Sequence, residues 1–197
     1  MKLSAVTSAV VVATGLLACT VASADTLKKI SDSGKITLAY RESSVPFSYL
    51  SSPGAPVGFA VDISNAVVEA VKKKVNNPAL KVELQPVTSQ NRIPLLTNGT
   101  IDLECGSTTN NTVRGNDVQF AINYFYTGTR LLAKKSSPVN NYADLAKKKV
   151  ATTSGTTNAQ VLRKYNRDNN LDMDLVMGKD HDDSFLLVET GRAEAFA

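Results

Sequence analysis

Apolar positions along the chain fall into two alternating rhythms. Residues 36–40, entered from the turn Asp32-Ser33-Gly34, read as a strand. From Asp62 onward, Ile63, Ala66, Val67, Ala70 and Val71 are spaced three and four apart. That spacing predicts a one-faced helix, ended by Asn76-Asn77-Pro78. Residues 82–87 predict a second strand. A short helix is expected from about Asn91, with Pro94 tolerated near its first turn and Asn98-Gly99 as its stop. Residues 101–105 predict a third strand. An aromatic connector, 122–126, leads to a strand over 128–134, and the pattern then restarts. It predicts a short helix at 143–145, strands at 150–153 and 173–177, helices at 158–166 and 184–190, and a last strand over 193–197.

Strands alternating with helices predict an α/β architecture with mainly parallel sheets, and the restart predicts two lobes, residues 25–127 and 128–197. The first 24 residues stand apart. Lys2 precedes apolar runs at 9–13 and 16–18, and the stretch closes with Ala22-Ser23-Ala24 before Asp25. It is too short to span a bilayer comfortably, so it reads as a signal peptide, 1–24, with periplasmic export of the remainder. Leu16-Leu17-Ala18-Cys19 also resembles a bacterial lipoprotein box, which would make Cys19 a lipid anchor.

Composition narrows the classes. The chain has 197 residues, 43% of them hydrophobic and 20% charged, an ordinary globular balance with room for one large or two small cores. Net charge is +4, and the runs Lys72-Lys73-Lys74 and Lys147-Lys148-Lys149 read as solvated helix ends. Nucleic-acid binding has no motif and little aromatic support. Enzyme signatures such as G-x-S-x-G and H-E-x-x-H are absent from the sequence, and no metal or cofactor is expected. If Cys19 leaves with the leader, Cys105 is a lone thiol in an oxidising compartment: free, paired between molecules, or lacking a partner.

In open α/β sheets ligands bind beyond the carboxyl ends of strands, and the polar clusters fall at those positions. Arg41-Glu42-Ser43-Ser44 follows the first strand and Thr88-Ser89-Gln90-Asn91-Arg92 the second. Gly106 to Arg114 follows the third, and Thr153-Ser154-Gly155-Thr156-Thr157 lies between a later strand and helix. That last segment suits an anion at a helix N-terminus, although an ordinary N-cap would look the same. Any one arginine could be a surface ion pair. Arg41, Arg92 and Arg114 on one sheet edge, with Ser89, Ser107 and Thr109, describe a pocket for carboxylates. Phosphate is chemically possible, but no P-loop is present to cradle a nucleotide. His181 sits among Asp180, Asp182 and Asp183; those carboxylates favour its protonated form, so it is expected to act as a further cationic donor.

Residues 41–49, 88–96, 104–111 and 153–157, together with 128–132 and 179–181, resemble one family: the periplasmic glutamate/aspartate-binding proteins of ABC importers, within the two-lobed type II solute-binding proteins, family 3. The resemblance implies a periplasmic-binding-protein type II fold with mixed sheets flanked by helices. It implies no enzymatic activity, L-glutamate or L-aspartate as ligand, an ABC permease as partner, and a monomer. Ser107, Thr109, Arg114 and Thr157 would hold the ligand's α-carboxylate; Arg41, Ser89, Arg92 and His181 would hold its side-chain carboxylate. Members of the family continue beyond the position of Ala197, with an aspartate for the ligand's ammonium and a crossover back to the first lobe. On that comparison the second lobe and return crossover are expected to be incomplete here, and the partner of Cys105 to lie in the absent part. A cyclic-acid dehydratase-like enzyme and a ligand-sensing module on the same fold are the alternatives.

Overall fold

The computed structural model describes residues 25–197, so the signal-peptide and Cys19 readings lie outside the described residues. Helix α1 (Thr26–Ser33) comes first. The Asp25 carboxylate caps it by accepting from the Lys28 N–H at 3.1 Å, and Gly34 ends it at φ 65°, a left-handed turn that costs glycine nothing. The sequence carries no periodic signal for this helix, because α1 buries a single residue, Ile30, and has too few turns to show a period.

Strand β1 (Lys35–Tyr40) is the centre of a three-stranded parallel sheet, between β5 (Lys81–Pro86) and β6 (Leu103–Glu104). Ile36 and Leu38 pack with Ile30, Val68 and Leu80. Ala39 joins Val87 and Ile101 in a second cluster, against Leu95 and Leu96. Helix α2 (Phe59–Lys74) starts three residues earlier than its spacing predicted, leaving Asp62 in the first turn, and its last turn carries Lys72, Lys73 and Lys74, which suit the helix dipole. Between β1 and α2 the chain makes a small antiparallel meander, β2 (Ser43–Ser44), β3 (Ser48–Ser52) and β4 (Ala55–Val57), which the sequence reading did not contain. Helix α3 (Arg92–Thr97) occupies the expected place. The third strand is two residues long rather than five. Asp102 explains the difference: its carboxylate accepts the Thr37 N–H at 2.8 Å, taking the place of a ladder carbonyl.

The second sheet has the order β7-β10-β8-β9. Strand β7 (Leu132–Ala133) runs antiparallel to β10 (Ala195–Phe196); β10, β8 (Lys149–Thr153) and β9 (Asp174–Gly178) are mutually parallel. Helices α4 (Thr157–Asp168) and α5 (His181–Glu189) complete the βα alternation. Leu145, Val150, Leu162, Met173 and Ala195 form one cluster, and Ala151, Val188 and Ala193 another. The strand expected over 128–134 shrinks to the two residues that find a ladder on β10. The short helix expected at 143–145 is a single 3-10 turn, Tyr142–Leu145, capped at Ala146; the second lysine run follows it directly, with Lys147 at φ 59° and Lys149 opening β8. Helix α5 begins at His181, not Ser184, which moves the histidine from a loop into a helical first turn.

Candidate site: a cavity walled by both sheets

The carboxyl ends of β1, β5, β6 and β8 meet around a cavity of about 760 Å³. Arg92, Ser107 and Thr109 line it from one side, with Glu42 and Ser44 from the meander. Thr153, Thr157 and His181 line it from the other. Five of the eight residues singled out from sequence therefore face one space. Arg41, Ser89 and Arg114 stand in its walls and do not line it.

Arg92 opens α3, positioned by a reciprocal loop lock: the Thr88 N–H donates to Asn91 Oδ1 at 2.8 Å and the Asn91 N–H to Thr88 Oγ1 at 3.3 Å. Its side chain is 2% exposed, yet Nε and Nη1 have no hydrogen-bond partner. Burial lowers its pKa to about 10, opposed by the nearby Glu104 carboxylate and reinforced by the charges of Arg41 and Arg114. Glu104 itself accepts from Thr108 Oγ1 at 2.6 Å through one oxygen and leaves the other unpartnered. Buried donors of this kind are costly unless something meets them.

Arg41 differs. It is fully buried, and its Nη2 is spent on an ion pair with Asp180, the residue preceding α5. Nη1 reaches Ser107 Oγ at 3.5 Å, the outer limit of a hydrogen bond. Ser48 fixes the Arg41 backbone, accepting its N–H at 2.9 Å and donating to its carbonyl at 3.1 Å. Asp180 was not singled out from sequence. Its position just ahead of a helix was the one available signal, and the side chain makes no cap because Arg41 holds it.

Arg114 bridges the two sheets, donating to Thr109 O at 2.9 Å and Gly155 O at 3.1 Å; burial lowers its pKa, against the pull of Glu104. Thr109 and Thr157 hydroxyls meet at 3.1 Å. Gly155 has φ 76°, and a Cβ there would lie 2.5 Å from Gln90 Cα and 2.7 Å from Ser89 O. Only glycine lets the β8–α4 turn press this closely on the loop after β5. Ser89 Oγ is buried beneath it without a partner. Thr156 caps α4 by accepting the Ala159 N–H at 3.1 Å.

His181 corrects the sequence reading. Its pKa is lowered to about 4, by burial first and then by the Arg41 charge, outweighing the pull of Asp180. The ring is neutral at pH 7, not a cationic donor. Nδ1 lies 3.0 Å from Thr153 Oγ1, which lies 2.8 Å from Ser184 Oγ. Cys105 is a free thiol, its pKa pushed up by burial. Among the described residues no cluster suits a metal ion, and no helix is long and apolar enough to cross a membrane.

Two βα sheets whose strand ends face a shared cavity, lined by hydroxyls and charged groups among apolar side chains such as Phe47, Leu50 and Phe196, define a binding-protein architecture. Residues 36–189 match the family model for bacterial extracellular solute-binding proteins, family 3, and the chain belongs to that family. It is 51% identical over 172 residues to the L-glutamate/L-aspartate-binding protein of Pseudomonas aeruginosa, covering 87% of this chain and 57% of the relative. It is 52% identical over 175 residues to the glutamate/aspartate import solute-binding protein of Escherichia coli, covering 89% and 58%. The chain thus spans somewhat over half the length of these relatives. An ancestral arginine-binding protein bound to arginine superposes with a TM-score of 0.72 at 27% identity, covering 83% of this chain and 69% of that one. An ancestral amino acid-binding protein, a precursor of cyclohexadienyl dehydratase, gives 0.75 at 27%, covering 87% and 72%. The type II periplasmic-binding fold is the one these neighbours share.

Proposed function

We propose that the chain captures L-glutamate or L-aspartate in this cavity and hands it to the membrane permease of an ABC importer. The observation that carries the reading is Arg92: a guanidinium withdrawn from water, with unspent N–H donors, on the wall of a cavity large enough for an amino acid. A carboxylate would satisfy it in the bidentate geometry that guanidinium favours. The names of the two relatives at 51% and 52% identity supply the ligand's identity.

In this reading Arg41, Ser89, Arg92 and His181 take the side-chain carboxylate, and Ser107, Thr109, Arg114 and Thr157 the α-carboxylate. Asp180 sets a condition on Arg41, which stands behind the lining with its guanidinium already paired. A carboxylate already sits on Arg41, so the ligand's own carboxylate would compete with that of Asp180 for the guanidinium. The lobes are residues 25–127, which hold β5-β1-β6 and the meander, and 128–197, which hold β7-β10-β8-β9. Residues 1–24 serve as a periplasmic export leader, with Cys19 lipidation as the alternative. A dehydratase-like enzyme is the second reading of function, since Glu42 and neutral His181 both line the cavity as possible proton-transfer groups.

Calorimetric titration with glutamate, aspartate and glutamine tests the binding reading. Arg92→Ala should weaken glutamate far more than glutamine; equal weakening would refute the assigned role. Turnover of a cyclic dicarboxylate would favour the enzyme.

A further inference from the structure

The hydroxyl chain behind His181 fixes which ring nitrogen carries the proton. Asp180 O can only accept, and Ser184 Oγ donates to it at 3.2 Å. Ser184 Oγ then accepts from Thr153, 2.8 Å away, which uses the one Thr153 hydroxyl proton. Thr153 Oγ1 is left as an acceptor for Nδ1–H at 3.0 Å. This is the one assignment of protons that makes all three hydrogen bonds. The neutral ring therefore holds its proton on Nδ1, and Nε2, which makes no hydrogen bond among the described residues, keeps a bare lone pair on a residue that lines the cavity.

The surroundings keep that lone pair unprotonated. His181 is the first residue of α5, at the positive end of its dipole. Arg41 after β1 and Arg92 on α3 bear on it with like charge, while Asp180 and Asp182 on its own element pull the other way. From β8 it meets the neutral Thr153, and from β10 the Phe196 ring at 6.4 Å; Glu42 lines the same cavity.

Two lone pairs cannot share a hydrogen bond, so a ligand carboxylate has nothing to gain from Nε2 as it stands. We propose that binding a ligand carboxylate against His181 takes up one proton from solvent onto Nε2. A carboxamide N–H would instead donate to the bare lone pair with no proton uptake. The inference rests on the proposed acidic-amino-acid site and adds the proton to it.

Titration calorimetry on the purified chain, repeated in phosphate and Tris, reads the proton directly from the dependence of observed heat on buffer ionisation. Expected for L-glutamate is uptake near ~1 proton per ligand and a Kd rising close to ~10-fold per pH unit between about pH 6 and 8. L-glutamine should bind with neither effect. His181→Gln offers an amide donor near the Nε2 position that does not titrate, so glutamate should bind more weakly and lose the uptake. Glutamate heats independent of buffer and pH would overturn the inference while leaving the site standing, as would uptake that persists in His181→Gln. Absence of heat with both glutamate and glutamine would instead take down the acidic-amino-acid reading and this inference with it.

Discussion

Replacing Arg92 with methionine should move stability and binding in opposite directions. The guanidinium is 2% exposed and two of its nitrogens have no partner. Burial lowers its pKa to about 10, well below the ordinary guanidinium value, which at about 1.4 kcal/mol per pH unit puts the cost of keeping it charged near 3 kcal/mol. Methionine has similar length and no polar group to leave unsatisfied, so Arg92→Met should stabilise the ligand-free chain by roughly 1–3 kcal/mol. For a chain of this size each kcal/mol raises Tm by about 2–4 °C, so thermal denaturation should shift upward by several degrees. Glutamate affinity should fall by roughly 2–5 kcal/mol, since a buried carboxylate would lose its charged partner. A lower Tm would show that Arg92 is a structural tie whose partners the packing already provides. Unchanged glutamate affinity in the variant would remove it from the site altogether.

Three further outcomes follow from neighbouring contacts. Asp180→Asn leaves the fully buried Arg41 without its counter-charge and should cost about 3–5 kcal/mol in urea denaturation, with saturating glutamate recovering more stability than in wild type; a neutral result would mean Arg41 reaches water. Gly155→Ala forces a side chain onto Gln90 Cα at φ 76° and should lose roughly 1–3 kcal/mol together with affinity; a wild-type denaturation curve would refute the close packing of the two loops. The depressed pKa of His181 means the unfolded chain binds its proton first. Its stabilising contribution is therefore complete above pH 6.5 and lost as pH falls toward about 4, a limb that His181→Gln should lack in urea midpoints measured across that window.

Long periodic elements were legible in the sequence because their burial repeats. β1, β5, α2 and α4 each show several turns or alternations of apolar residues, and fall within a few residues of expectation. The meander β2–β4 has strands of two, five and three residues, rich in serine, and a helix of eight with one buried residue carries no usable period. The cavity was legible for a different reason: strand ends converge wherever the sheet is parallel, so polar clusters placed after strands arrive together. What escaped was pairing across the chain. Arg41 and Asp180 lie 139 residues apart, and nothing local announces their contact. The charge of His181 escaped for the same reason. Counting Asp180, Asp182 and Asp183 as neighbours suggested a protonated ring, but Asp180 is committed to Arg41, Asp183 accepts the Lys179 N–H at 3.3 Å, and burial outweighs what remains.

The most direct test of the central claim is a titration of L-glutamate into the purified chain and into its Arg92→Met variant, followed by heat. Saturable one-site binding by the first, with most of the affinity lost in the second, is the predicted result. No heat from the first, or equal binding by both, would contradict the assignment of this cavity as a carboxylate-capturing site built on Arg92.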